Sequence, residues 1–170
     1  MPWLRDLLTP GLILLTSLAA AAPAPATGQG WSGYVNERYQ YSLCYPRNVF
    51  TPQREADNGD GRTFGGPQGT SLLVFGTMML SEPTLGAEAE SKARALREGG
   101  AKLTYAVIKP AFFVLSGTQG TSIFYIKTIR LGDAYATLEM RYPRSVARSW
   151  DATVTRMSRC FRSAIVAKNG

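Results

Sequence analysis

The chain is 170 residues long, 45% hydrophobic and 18% charged, with a net charge of +7, 17 Gly, 10 Pro and no histidine. A disordered chain is excluded because it would be poor in apolar residues, and a long coiled coil because Gly and Pro interrupt any heptad run. Without histidine there is no Ser-His-Asp or Cys-His nucleophile pair, no histidine base and little prospect of a zinc site; the length suits one globular domain.

Residues 1–21 read as a secretory signal peptide: Arg5 in a short basic lead, an apolar stretch from Leu7 to Leu18, and small residues from Ala19 to Ala22 that suit cleavage after Ala21. A second site lies after Ala26. An uncleaved anchor is the alternative, but Pro10 and Gly11 interrupt a run already short for a ~30 Å bilayer core. Residues 22–30 are Ala/Pro/Gly-rich and read as a linker, leaving 31–170 as a single α+β domain. No later stretch is apolar enough to span a membrane. The expected location is therefore periplasmic or secreted.

Trp31 to Arg38 reads as a lead-in segment. Tyr39–Tyr45 alternates and is rich in aromatics, which predicts a strand ended by Pro46. Gln53 to Gly61 is polar, with turn chemistry in Asn58-Gly59-Asp60-Gly61, and Arg62–Phe64 starts a short strand. Ser71–Met79 is apolar on both faces and is expected at the centre of a sheet. Thr84 is the expected N-cap of a helix through Glu98 that Gly99 and Gly100 stop. Its thin apolar stripe is Leu85, Ala89, Ala93 and Leu96.

Four strands follow: 101–109, 111–116, 121–131 and 134–142. Gly117 to Gly120 and Gly132-Asp133 are expected to form turns, so neighbouring strands are antiparallel. The adjacent pairs Phe112-Phe113 and Phe124-Tyr125 must point to opposite faces of the sheet. A last helix is expected from Ser145 to about Ser163, with Val146, Trp150, Val154, Met157, Phe161 and Ile165 within about 100° of its surface. The fold class is α+β: an antiparallel sheet of about six strands, including a C-terminal four-strand meander, covered by two helices.

The cysteines, Cys44 and Cys160, form an even count in an exported chain, which points to one disulfide; two separate buried thiols are the alternative. They lack C-x-x-C spacing, so a redox-active pair is not indicated. The densest basic stretch includes Arg141, Arg144, Arg148, Arg156, Arg159, Arg162 and Lys168. Arg144, Arg148, Arg159 and Arg162 are the candidate binding residues, on a helix face that is otherwise simply solvated. An anionic envelope component or an unknown protein is the expected partner. Nucleic acid is not, since an exported protein rarely meets it.

Catalytic patterns are sparse. No serine has Lys three residues on, and G-x-S-x-G, GxGxxG and the P-loop spacing are absent. Glu37, Glu55, Asp57 and Asp60 are the one local group of carboxylates, the basis for a small carboxylate-dependent hydrolase as the alternative function. Aligned as a calcium loop, Asp57 to Gly61 lacks its first ligand and has Pro67 where the final Glu belongs. No motif calls for a cofactor.

The opening Tyr34-Val35-Asn36-Glu37-Arg38-Tyr39-Gln40-Tyr41-Ser42-Leu43-Cys44-Tyr45-Pro46, followed by NGDGRTF, SLLVFG, FFVLSGTQGTSIFYIK and a closing RYP, resembles a class of small exported bacterial domains without an assigned function. It looks like the PsbP-type α+β domains over residues 31–163. The resemblance implies an antiparallel sheet and an accessory or binding role. It transfers no catalytic residue, and neither the basic C-terminal helix nor the cysteine pair belongs to it.

Overall fold

A computed structural model describes residues 30–79 and 84–165. The expected signal peptide and nearly all of the expected linker lie outside the described residues, as do Glu82, Pro83 and Lys168.

Among the described residues, ten strands and two α-helices follow in chain order. Strand β1 (Trp31–Asn36) and β2 (Tyr41–Pro46) form a hairpin. Strands β3 (Thr51–Glu55), β4 (Gly61–Gly65) and β5 (Ser71–Met78) form a second antiparallel run. Helix α1 (Leu85–Glu98) leads into β6 (Lys102–Ile108), β7 (Phe112–Gln119), β8 (Ser122–Leu131) and β9 (Ala134–Pro143). After a short 3-10 turn come α2 (Ala147–Cys160) and β10 (Arg162–Ser163). The seven-stranded sheet has the order β3-β4-β5-β9-β8-β7-β6, and β1-β2-β10 forms a separate small sheet. The α+β class, the large antiparallel sheet, the four-strand meander and the two helices are as expected; the strands outnumber the expected six because several carry no sequence alternation.

Strand β3 is one of these. Thr51, Pro52, Gln53 and Arg54 are exposed, so its sequence is polar throughout, and only backbone pairing with β4 makes it a strand. Trp31–Asn36 likewise pairs fully with β2 rather than forming a mere lead-in. The central strand is β9, not β5. Leu72 and Val74 of β5 are buried, but Leu73 on the other face is 37% exposed, whereas β9 is buried along both faces over Ala134–Leu138.

Gly117 does not turn the chain. A Cβ there would come within 2.1 Å of the Lys102 carbonyl oxygen, so the glycine lets β6 approach β7. The reversal falls instead at Gly120, where φ is +58°. Gly76 has a similar purpose: the Tyr39 ring lies where its side chain would be.

The large sheet separates two apolar layers. One holds Tyr34, Tyr41, Leu43, Phe64, Leu72, Leu138, Val154, Met157 and Phe161, enclosed by the small sheet and α2. The other lies under α1, where Leu85, Ala89 and Ala93 meet Phe113, Leu115, Phe124 and Ile126. The two aromatic pairs divide as expected: Phe113 and Phe124 face α1, while Phe112 and Tyr125 pack toward α2. Thr84 caps α1 by accepting the Ala87 N–H at 3.1 Å.

Helix α2 stops at Cys160, three residues before its expected end. Phe161 turns to an extended conformation and packs edge-on against Tyr41, centroids 6.0 Å apart. Arg162 and Ser163 then pair with Ser42 and Tyr41 of β2. Burying Phe161 and completing the small sheet outweigh one more helical turn. Ile165 consequently leaves the apolar stripe and is 59% exposed.

Candidate functional site

Cys44 lies in β2 and Cys160 is the last residue of α2; the two are joined by a disulfide, Cα atoms 5.8 Å apart. The bond fixes the helix end against the small sheet. Beneath it, Lys127 of β8 donates to the carbonyls of Ser158 at 2.6 Å and Phe161 at 3.4 Å. An ammonium group at a helix C-terminus satisfies open carbonyls and opposes the negative end of the macrodipole. Burial pulls the Lys127 ammonium below the ordinary lysine range. The neighbouring Tyr125 hydroxyl donates to Ser158 Oγ at 2.7 Å, and burial raises its pKa while that bond lowers it in part.

On the outer side of this anchored end runs an open groove of 810 Å³, lined by Cys44, the disulfide partner Cys160, Thr155, Arg156, Arg159 and Arg162, with Asp151 at one end. The three arginines are exposed. Among the described residues none of them forms an ion pair: the salt bridges are Arg54–Asp57, Arg62–Glu55 and Arg141–Glu139. Arg156 is held in place by Trp31, whose ring centroid is 4.1 Å from its Cζ, a cation–π contact that orients the guanidinium without neutralising it. Three planar donor forks along one groove can engage carboxylate or phosphate oxygens.

Of the sequence candidates, Arg159 and Arg162 reach this groove. Arg148 shares the outward face of α2 with Ala152, Thr155 and Arg159 at spacings of four, three and four, but sits three turns from Arg159. Arg144 lies on the turn before the helix. Arg156 and Trp31 belong with the site. Arg156 was legible three positions before Arg159, a spacing that shares a helix face; Trp31 carried no signal, because its partner is distant in sequence. Lys127 is one of two charges in β8, with Arg130, and nothing in the sequence set it apart.

The four carboxylates are used differently. Glu55 accepts from the Tyr34 hydroxyl at 2.8 Å, Asn36 Nδ2 at 3.2 Å and Arg62 at 3.1 Å, and so binds the small sheet to the β3–β4 hairpin. Burial raises the Tyr34 pKa, and the Glu55 carboxylate adds to it. Asp57 pairs with Arg54 at the surface, Asp60 accepts from Asn58 Nδ2 at 2.7 Å, and Glu37 is exposed. None of the four lines the arginine groove. The Asp57–Gly61 segment is a turn in which Gly59 takes φ +66°. Among the described residues no helix is long and apolar enough to cross a membrane.

The fold matches the solution structure of cyanobacterial PsbP from Synechocystis sp. PCC 6803 with a TM-score of 0.62 and 11% sequence identity, over 84% of this chain and 98% of that one. At that identity the likeness is one of fold, and it bears out the PsbP-like reading of the Tyr34–Pro46 opening at that level. No protein-family model and no curated protein matches the sequence.

Proposed function

We propose that this is an exported, non-enzymatic accessory domain that docks an anionic envelope component through the groove beside the disulfide. The carrying observation is that Arg156, Arg159 and Arg162 line one open groove whose single acidic lining residue is Asp151, and that among the described residues none of the three is in an ion pair. A PsbP-like fold is consistent with an accessory role, and the disulfide with an oxidising compartment. The N-terminal segment supports export through its signal-peptide pattern. Arg144 and Arg148 extend the positive surface along α2 and help recruitment at longer range.

The test is co-sedimentation of the protein with phosphatidylglycerol vesicles and with neutral phosphatidylcholine vesicles, at low and high salt. Binding to the anionic vesicles alone, weakened by salt and by at least about tenfold in R156Q/R159Q/R162Q, is expected; the R144Q/R148Q protein should retain most of it. Equal binding by the triple variant would place the contact elsewhere, and binding insensitive to salt would point to apolar contacts.

A further inference from the structure

The two edges of the large sheet are built differently. Edge strand β3 carries Pro52, an irregular register between Pro52 and Glu55, and exposed polar side chains. These features deter pairing with another strand. Edge strand β6 has a register shift between Leu103 and Tyr105, but from Tyr105 to Ile108 it runs in regular register with Ser116 to Phe113 of β7. Its exposed side chains there are apolar: Tyr105 is 55% and Ile108 48% exposed.

The backbone of this stretch is available as well. The Lys109 N–H donates to the Phe112 carbonyl at 2.8 Å. Because alternate residues of an antiparallel pair face the partner, Val107 also points toward β7. The N–H and C=O groups of Ala106 and Ile108 then point outward, where no described strand pairs with them. Beside this edge lies a groove of 360 Å³. Leu103, Ala106 and Ile108 form its floor, and Arg94 and Arg97 of α1 stand in its wall, with Glu90 its single acidic lining residue. Lys102 and Lys109 mark the two ends of the strand, both exposed. Among the described residues neither arginine is in an ion pair.

We infer that β6 is a docking edge for an extended, acidic segment of another protein, which adds to the sheet as a further antiparallel strand. Main-chain hydrogen bonds to Ala106 and Ile108 supply the pairing. Acidic side chains on one face of the added strand meet Arg94 and Arg97; apolar ones on the other lie beside Tyr105 and Val107. The charge pattern selects against a second copy of this chain, since edge-to-edge pairing would bring two lysine-bounded strands and two arginine walls together. This surface is separate from the groove at α2, so the two proposals stand or fall independently.

The probe is an alternating Glu-Val octapeptide, compared with a Lys-Val octapeptide, titrated into the protein while backbone amides are followed by NMR and hydrogen exchange. The Glu-Val peptide should bind and slow exchange at the Ala106 and Ile108 amides about tenfold or more. R94E/R97E, substitutions on the outer side of α1, should weaken it by about tenfold, and I108K should weaken it as well, with folding of both confirmed by circular dichroism. Equal binding of the Lys-Val peptide, absence of protection at β6, or an unchanged affinity in R94E/R97E overturns the proposal. Concentration-dependent self-association of the free protein that protects the same two amides would do so too, by assigning the edge to a second copy.

Discussion

The two sides of the central sheet are held by different means. Toward α2, the layer is aromatic: Tyr45 packs on Phe64 at 4.7 Å between centroids and Tyr142 stacks on Trp150 at 5.3 Å. It is closed by a covalent bond between elements 116 residues apart. Toward β6 and β7, α1 approaches through two alanines and Leu85. The first side must seal two pieces of chain from opposite ends of the domain, the β1–β2 hairpin and the α2–β10 segment, against one sheet face, so it uses large rings, buried hydroxyls and a disulfide. The second carries one helix joined to β6 by a short turn, and small residues suffice. The side with the greater number of distant partners is therefore the one whose stability depends most on individual groups.

Removing the disulfide breaks this contrast most directly. Replacing both Cys44 and Cys160 by Ser should cost about 2–5 kcal/mol in chemical denaturation, because the open chain regains the entropy of a long loop. Amide exchange should accelerate at α2 and β10 while α1 is unchanged. A uniform acceleration would show that the two sides unfold as one unit.

The opposite side is tested by Ala93→Leu. Ala93 is buried against the sheet, so the larger side chain should lift α1 and cost about 1–3 kcal/mol, leaving the Trp150 environment unaltered by fluorescence. A neutral result would mean that α1 sits less closely than its alanines imply.

The smallest effect concerns Tyr41, whose hydroxyl donates to the Asp60 carbonyl at 3.0 Å. Tyr41→Phe should cost about 1 kcal/mol at neutral pH. Burial raises the pKa of Tyr34, Tyr41, Tyr125 and Tyr142. Above about pH 10 an unfolded tyrosine loses a proton that the folded one keeps, so the stability contributed by these hydroxyls is complete below that pH and falls as pH rises. Lys127, lowered by burial, acts oppositely as pH approaches about 10.5, but it is one group against four. The alkaline limb of stability against pH should descend, and Tyr41→Phe should make it shallower. An unchanged limb would remove Tyr41 from this account.

Much of the fold could be read locally. The stripe Leu85-Ala89-Ala93, its Thr84 cap, the Gly132-Asp133 turn and the meander from β6 to β9 follow from periodicity and turn chemistry, which depend only on near neighbours in the chain. The cysteine count gave the disulfide for a similar reason: with two cysteines in the chain, a single pairing exists. At the site, Arg159 and Arg162 were legible as members of a basic run.

What the sequence could not determine was decided by pairing at a distance. Polar Thr51–Arg54 became a strand because β4 offered it backbone partners. Gly117 remained in a strand because β6 needed to come close, and α2 ended at Cys160 because Phe161 found Tyr41 and Arg162 found β2. The same holds for the two proposed surfaces. Trp31 meets Arg156 only when β1 and α2 are brought together, and the outward-facing amides of Ala106 and Ile108 exist only because β6 falls at the end of the sheet. Helical and strand periods are properties of a short segment and survive in sequence; an edge, a groove or the neutralisation of a charge depends on which segments become neighbours, and only the folded chain sets that.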